Sequence, residues 1–238
     1  MFDIVIPLGP NDCEKIKLQL IYTKKNIIDY RNIYIISYDD TLLFDDCITI
    51  SENIFPFSIE TISNYHGKRN RNGWYLQQLL KLYSGLIIPN ILDIYLVIDS
   101  DTFFLKPTKF YENGKCLYNY GLYHLHLPYF IHMNKLHPDL KINDKSKSGI
   151  CHHMMFETKY IKELFHIVEK KHNDNFYNIF LKNVTDYNGS GASEYEIYFN
   201  YMLYNYPNKI TLRELNWENT KTLILDKNYH YISCHWYL

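Results

Sequence analysis

Ile94-Tyr95-Leu96-Val97-Ile98-Asp99-Ser100-Asp101-Thr102-Phe103-Phe104-Leu105 is the stretch that decides the fold. An apolar, β-branched run bounded by polar residues reads as a buried strand. Side chains alternate along an extended chain, so Asp99 and Asp101 are expected to project to one side where the strand runs out. Two carboxylates so placed stay ionised together only if something cationic sits between them. A divalent metal serves that purpose, and a metal at a strand end usually serves a phosphorylated ligand.

Working towards the N-terminus, Trp74 to about Ser84 reads as a helix after the basic loop His66–Gly73. Trp74, Gln77, Gln78 and Lys81 share one face at i, i+3, i+4 and i+7, and Leu76, Leu79, Leu80 and Tyr83 share the other. The polar face either meets water or offers amide and ammonium donors to a phosphate or carboxylate. Phe2–Ile6 is a strand that Pro7-Leu8-Gly9-Pro10 stops, Asn11 or Asp12 is placed to cap a helix running to Asn26, and Asn32–Ile36 is the next strand, ending at Ser37. A shorter strand is expected at Cys47–Ile50. The order β-α-β-β-α-β begins a doubly wound α/β sheet with right-handed crossovers. Ligands of such sheets gather at the carboxyl ends of the strands, here Pro7-Leu8-Gly9, Ser37-Tyr38-Asp39 and Asp99-Ser100-Asp101. The chain holds neither a GxGxxG turn nor a GxxxxGK[ST] loop, which removes the main support for a dinucleotide or P-loop site.

Working towards the C-terminus, short aromatic segments such as Cys116–Leu122 predict strands of a mixed sheet, and the Lys-rich Leu136–Gly149 predicts a mobile loop. Ile150–Phe156 predicts a strand in which His152 and His153 face opposite ways. Helices are expected over Thr158–His172, Phe176–Leu181 and Glu194–Leu203. Ser193 and Glu196 have capping-box spacing, which accounts for Glu196 and leaves Glu194 at the same helix start without a structural role.

The 238 residues suffice for one compact domain, 1–238, and a net charge of -1 gives nucleic-acid binding no electrostatic support. No apolar run is long enough to span a membrane, and Asp3 inside the first apolar run argues against a cleaved signal. Five scattered cysteines without a CxxC pair fit reduced thiols, so a soluble, cytoplasmic protein is expected. Oligomeric state is left open.

Asp99-Ser100-Asp101 after a buried strand resembles the DxD motif of GT-A-fold glycosyltransferases. Taken with Gly73–Lys81, His152–Phe156, Ser193–Glu196 and Cys234-His235-Trp236, it resembles a little-characterised glycosyltransferase-like group over most of the chain. The resemblance implies a GT-A-like, Rossmann-type mixed sheet flanked by helices, with a donor-nucleotide half of about 1–107 and an acceptor half of about 108–238. It implies a nucleoside-diphosphate sugar, most readily a UDP-sugar, as donor and a glycan or other hydroxyl as acceptor.

It further implies Mn²⁺ or Mg²⁺ held by Asp99, Asp101 and His235, with Asp99 placing ribose and metal and Asp101 binding the metal directly. Oxygen ligands favour these hard ions over zinc. Pro7, Leu8, Gly9 and Ser37 would line base and ribose, while Trp74, Gln77, Gln78, Lys81 and Ser100 would steady phosphates or sugar. His152 or His153 would contact the substrates. Glu194 is the expected base for the acceptor hydroxyl, with Glu196 the other acidic residue at that helix start.

Other classes fit less well. A glycosidase needs carboxylates on both sides of the scissile bond, and a sugar-phosphate nucleotidyltransferase usually brings a basic, glycine-rich first loop that Pro7–Asp12 lacks. Cys151-His152 and Cys234-His235 are adjacent pairs, not zinc spacing. A non-catalytic carbohydrate-binding protein would rest on the aromatic residues alone.

Overall fold

The computed structural model describes residues 1–122, 126–226 and 228–235. In chain order the elements are β1 (Phe2–Leu8), α1 (Lys15–Asn26), β2 (Tyr30–Ser37), β3 (Ile48–Ser51), α2 (Ile59–His66), α3 (Asn72–Ile87), β4 (Ile94–Ile98) and β5 (Thr102–Phe104). They continue with β6 (Lys115–Asn119), α4 (Leu127–Leu136), β7 (His153–Glu157), α5 (Thr158–His172), α6 (Phe176–Asn183), α7 (Glu194–Asn205), β8 (Ile210–Arg213), β9 (Trp217–Thr220) and β10 (Tyr231–Cys234).

Every residue of β1 is buried, as expected of a strand covered on both faces. It lies at the centre of a five-stranded sheet of order β7-β4-β1-β2-β3. β1, β2, β3 and β4 are parallel, and β7 adds antiparallel to β4. The chain is therefore a mixed α/β single domain with helices flanking a largely parallel sheet, as its strand and helix order predicts. Asp3 is buried in β1 without strain, because Arg31 pairs with it at 2.6 Å and the Leu92 and Asn32 N–H groups donate to it.

Pro7 does not stop β1. The ladder with β4 ends at Val5–Val97, whereas that with β2 runs on through Pro7–Ile36 to Leu8–Ser37. Pro7 thus sits where one flank of the strand has no partner needing its missing N–H. α1 also starts differently from expectation: Pro10–Asp12 forms a single 3₁₀ turn, and the cap position falls on Glu14, which makes no side-chain cap bond. The stretch Leu136–Gly149 holds a buried Leu140, and the Asn143 N–H donates to Asn200, so part of this loop is packed down.

The two parts of the chain interlock. β7 completes the main sheet, β10 pairs antiparallel with β5, and β8 pairs parallel with β6. These pairings bring the chain's last described residues back to the Asp99–Asp101 turn, with the Cys234 N–H donating to the Asp101 carbonyl at 2.8 Å. Gly85 in α3 lies against β4 and the start of α5, where a Cβ would stand 2.6 Å from Tyr95 and 2.4 Å from Thr158. That close approach sets α3 on the sheet.

Candidate active site at the carboxyl ends of β1 and β4

β1 and β4 are neighbours whose crossovers lead in opposite directions, to β2 on one side and β7 on the other, so a crevice opens at their carboxyl ends. Asp99, Ser100 and Asp101 stand there. The chain does not stay extended through them: the Thr102 N–H donates to the Asp99 carbonyl at 3.0 Å, closing a turn. The alternation that would have put both carboxylates on one side is lost, and each takes its own partners.

Asp99 is met by Lys81 Nζ at 2.5 Å and the Tyr195 hydroxyl at 3.0 Å on one oxygen, and by His152 Nδ1 at 3.2 Å on the other. Burial opposes its ionisation, but Lys81 and His152 outweigh burial and hold the carboxyl well below its usual range. Lys81 Nζ also reaches Glu194 at 2.7 Å and lies over the Tyr195 ring. Burial disfavours the ammonium here too, yet Asp99 and Glu194 raise its pKa. Glu194 is raised as well, chiefly by burial. The start of α7 thus covers the Gln78–Lys81 part of that helix face, leaving Gln78 1% and Lys81 2% exposed.

Asp101 faces a second group. Its Oδ2 is 3.0 Å from His235 Nδ1, and its Oδ1 accepts from Ser233 at 3.2 Å. His235 Nε2 is 3.0 Å from Asn219 Oδ1. The His152 and His235 rings, 4.7 Å apart, link the two groups.

Other predicted residues fall into three sets. Trp74, Gln77 and His152 line a pocket of about 150 Å³ whose floor is Lys81, Asp99 and Glu194. Ser100 donates to Asp12 at 2.8 Å, while Pro7 and Leu8 end β1 and Gly9 leads into the 3₁₀ turn that carries Asp12. Ser37 is fully buried and its hydroxyl is spent on the Asp39 backbone, so only its backbone is placed to line a ligand.

Three residues are not brought to the site by their side chains. Gln78 accepts the Glu194 N–H at 3.1 Å, capping α7 in place of a ligand, because the face it shares with Lys81 is buried. Glu196 joins the cap only through its N–H, which donates to Ser193 Oγ, while its carboxylate accepts from the Ser148 hydroxyl and from the Asn200 amide at 2.9 Å. No reciprocal bond of the capping box is formed by its carboxylate, which instead ties Ser148 to Asn200 of α7. His153 lies among the Phe104, Phe110 and Tyr231 rings, and burial followed by the Arg213 charge pushes its pKa down to about 3. His152 precedes the strand with φ +61°, so the two histidines part at a left-handed residue and not by strand alternation. Trp236, which completes the Cys234-His235-Trp236 motif, lies outside the described residues.

Sequence reasoning missed Asp12, Lys15 and Tyr195. Asp12 was read as a helix cap, but it meets Ser100, and burial and then repulsion from Asp101 raise its pKa against the lowering effect of Ser100. Lys15 Nζ donates to the Cys234 carbonyl at 3.0 Å and lies 3.6 Å from Asp12, placing an ammonium near the Asp101 turn. Tyr195 stood in the quoted Ser-Glu-Tyr-Glu motif, but nothing in the spacing distinguishes its hydroxyl from that of other core tyrosines.

The metal expected from the paired aspartates can be tested against these contacts. Asp99 has both oxygens engaged, and Lys81 supplies the cation that its burial demands. Asp101 and His235 retain the pairing of a hard oxygen with an oriented imidazole, which fits an ion whose remaining ligands are oxygens. Among the described residues no group of three His, Cys, Asp or Glu side chains is arranged to hold a metal. Asp101 and His235 would hold such an ion with further oxygens, and Asp99 faces Lys81, Tyr195 and His152 where it stands.

A wider hollow of about 460 Å³ on α5 and α6, bordered by Tyr83, Phe165 and Tyr177, contains none of these groups. No described helix is long and apolar enough to cross a membrane. No curated protein matches the chain in sequence. Residues 14–237 match the family model described as Family of unknown function (DUF6492), and the chain belongs to that family.

Proposed function

We propose that the protein is a GT-A-type glycosyltransferase that moves a sugar from a nucleoside-diphosphate donor to an acceptor hydroxyl. The observation that carries this reading is the paired arrangement at one sheet crevice: Lys81 held between Asp99 and Glu194, and Asp101 facing His235. A nucleotide lying over the ends of β1 and β2 would set its diphosphate against Lys15 and the Asp101 turn. The anomeric carbon would then face the pocket that Trp74 and Gln77 line, which receives the acceptor beside Glu194.

Asp101 and His235 would hold Mn²⁺ or Mg²⁺ together with diphosphate oxygens. When bound, such an ion stabilises the charge on the leaving diphosphate. The protein's own groups do the rest. The acceptor oxygen attacks the anomeric carbon, the bond to the diphosphate oxygen breaks with its electron pair, and the hydroxyl proton passes to Glu194. Burial raises the basicity of Glu194, while Lys81 keeps it oriented. A base on the face opposite the leaving group corresponds to inversion at the anomeric carbon. Asp99 acts through Lys81, Tyr195 and His152 and is a positioning residue. The separation into a donor half and an acceptor half follows the same reading.

Asp101→Ala tests the assignment. It should abolish the Mn²⁺-dependent part of nucleoside-diphosphate affinity, measured by calorimetry with and without the ion. Unchanged Mn²⁺-dependent affinity in a folded variant would show that Asp101 is not the metal ligand.

A further inference from the structure

We propose that the pocket beside Lys81 selects an acidic sugar, one bearing a carboxylate or phosphate, through the guanidinium of Arg71. That this sugar is the acceptor rests on the transferase reading; the anion site itself does not.

The basic loop before α3 is otherwise unexplained. Lys68 and Arg69 are exposed, whereas Arg71 is half-buried and turns into the pocket wall. Its guanidinium lies over the Trp74 ring, 5.3 Å from the centroid, and Nη2 is 3.4 Å from Ser190 Oγ. Ser190 is itself held, since His126 Nε2 lies 2.6 Å from its carbonyl. Arg71 is thereby fixed in orientation, yet among the described residues it enters no ion pair. The contrast with Lys81 decides the matter: Lys81 is spent on Asp99 and Glu194, and Arg71 is the cation at this pocket that the protein does not spend on itself.

A stacked, planar guanidinium with unspent donors is built for a forked anion. The ring faces of Trp74 and Tyr129 suit the apolar face of a pyranose, and a volume of about 150 Å³ holds little more than one sugar ring. Glu194 lies at the floor of the same pocket, so an acid anchored on Arg71 would leave a hydroxyl of that ring to face the carboxylate.

The test compares methyl β-glucuronide, glucose 6-phosphate and methyl β-glucoside by calorimetry or NMR titration. The wild type should bind at least one acidic sugar about tenfold more tightly than the neutral one, the gain of one charge-assisted contact. Preference for the glucuronide alone identifies a carboxylate, and for the 6-phosphate alone a phosphate. Arg71→Gln should erase the preference, and Arg71→Lys should keep part of it, with thermal unfolding as the check on folding. Equal affinity for all three sugars, or a preference that survives Arg71→Gln, overturns the proposal. So does an Arg71→Gln variant that loses nucleoside-diphosphate affinity to the same degree, since Arg71 would then serve the donor. A preserved acid preference without any donor turnover supports the anion site while removing the transferase reading, and turnover without the preference does the reverse.

Discussion

Lys81→Met is the perturbation that most directly probes what holds the site together. Methionine keeps most of the side chain's apolar volume but removes the ammonium that Asp99, Glu194 and the Tyr195 ring share. A surface pair would cost ~0–1 kcal/mol. Here lysine and glutamate are almost wholly buried, and breaking a buried pair by removing one partner costs about 3–5 kcal/mol. For a domain of this size that corresponds to a fall in Tm of roughly 6–20 °C.

The sign of the pH effect is a second signature. Without Lys81 the folded-state pKa of Glu194 rises further above its unfolded value, so the folded state binds more protons in the interval between the two. The deficit should therefore shrink as the pH is lowered from 7.5 towards 5, and Glu194→Gln in the Lys81→Met background should restore much of the lost stability at pH 7.5. Asp99 would keep Tyr195 and His152. Thermal unfolding of the two single variants and the double variant at both pH values reads all three effects. A loss of less than about 1 kcal/mol in Lys81→Met, independent of pH, would refute the claim of a desolvated, mutually dependent triad.

Two further outcomes follow from named contacts. His132 is fully buried, with Nε2 2.9 Å from the Phe180 carbonyl and Nδ1 without a partner among the described residues, and burial pushes its pKa down to about 4. His153 is pushed down to about 3. Both have folded pKa values below the unfolded 6.5, so their contribution to stability is present above pH 6.5 and is lost on acidification, at about 1.4 kcal/mol per pH unit each. Denaturant midpoints between pH 7 and 5 should show this slope, and His132→Gln should remove one proton's share of it; an unchanged slope would count against the burial argument. Glu194→Gln should retain donor binding while lowering transfer by about 10²–10⁴-fold, the usual contribution of a general base, and transfer at the wild-type rate would remove Glu194 from that role.

The framework was legible because periodicity records burial. β1, β2 and β4 announce themselves as apolar runs, α5 was read to its ends at Thr158 and His172, and α7 from its Ser193 start. α2 was not read, although Ser58 and Thr61 form a capping box, because Thr takes the place of the usual Glu or Gln. Periodicity also placed Trp74, Gln77, Gln78 and Lys81 on one face, but it carries no information on what covers that face. The pairing of Lys81 with Glu194 spans 113 residues and exists only because α7 packs over α3. The same limit explains the acidic pair. Alternation holds only while the chain is extended, and the turn that the Thr102 N–H closes on the Asp99 carbonyl gives each carboxylate its own partners.

The central claim is that this crevice transfers sugars, and it meets its most direct test in a panel of nucleotide sugars incubated with the protein and Mn²⁺, read by release of nucleoside diphosphate. The account predicts slow release from at least one donor, dependent on Mn²⁺ and lost in Asp101→Ala. Binding of free glycans with no release from any donor, or release that Asp101→Ala leaves untouched, would contradict it.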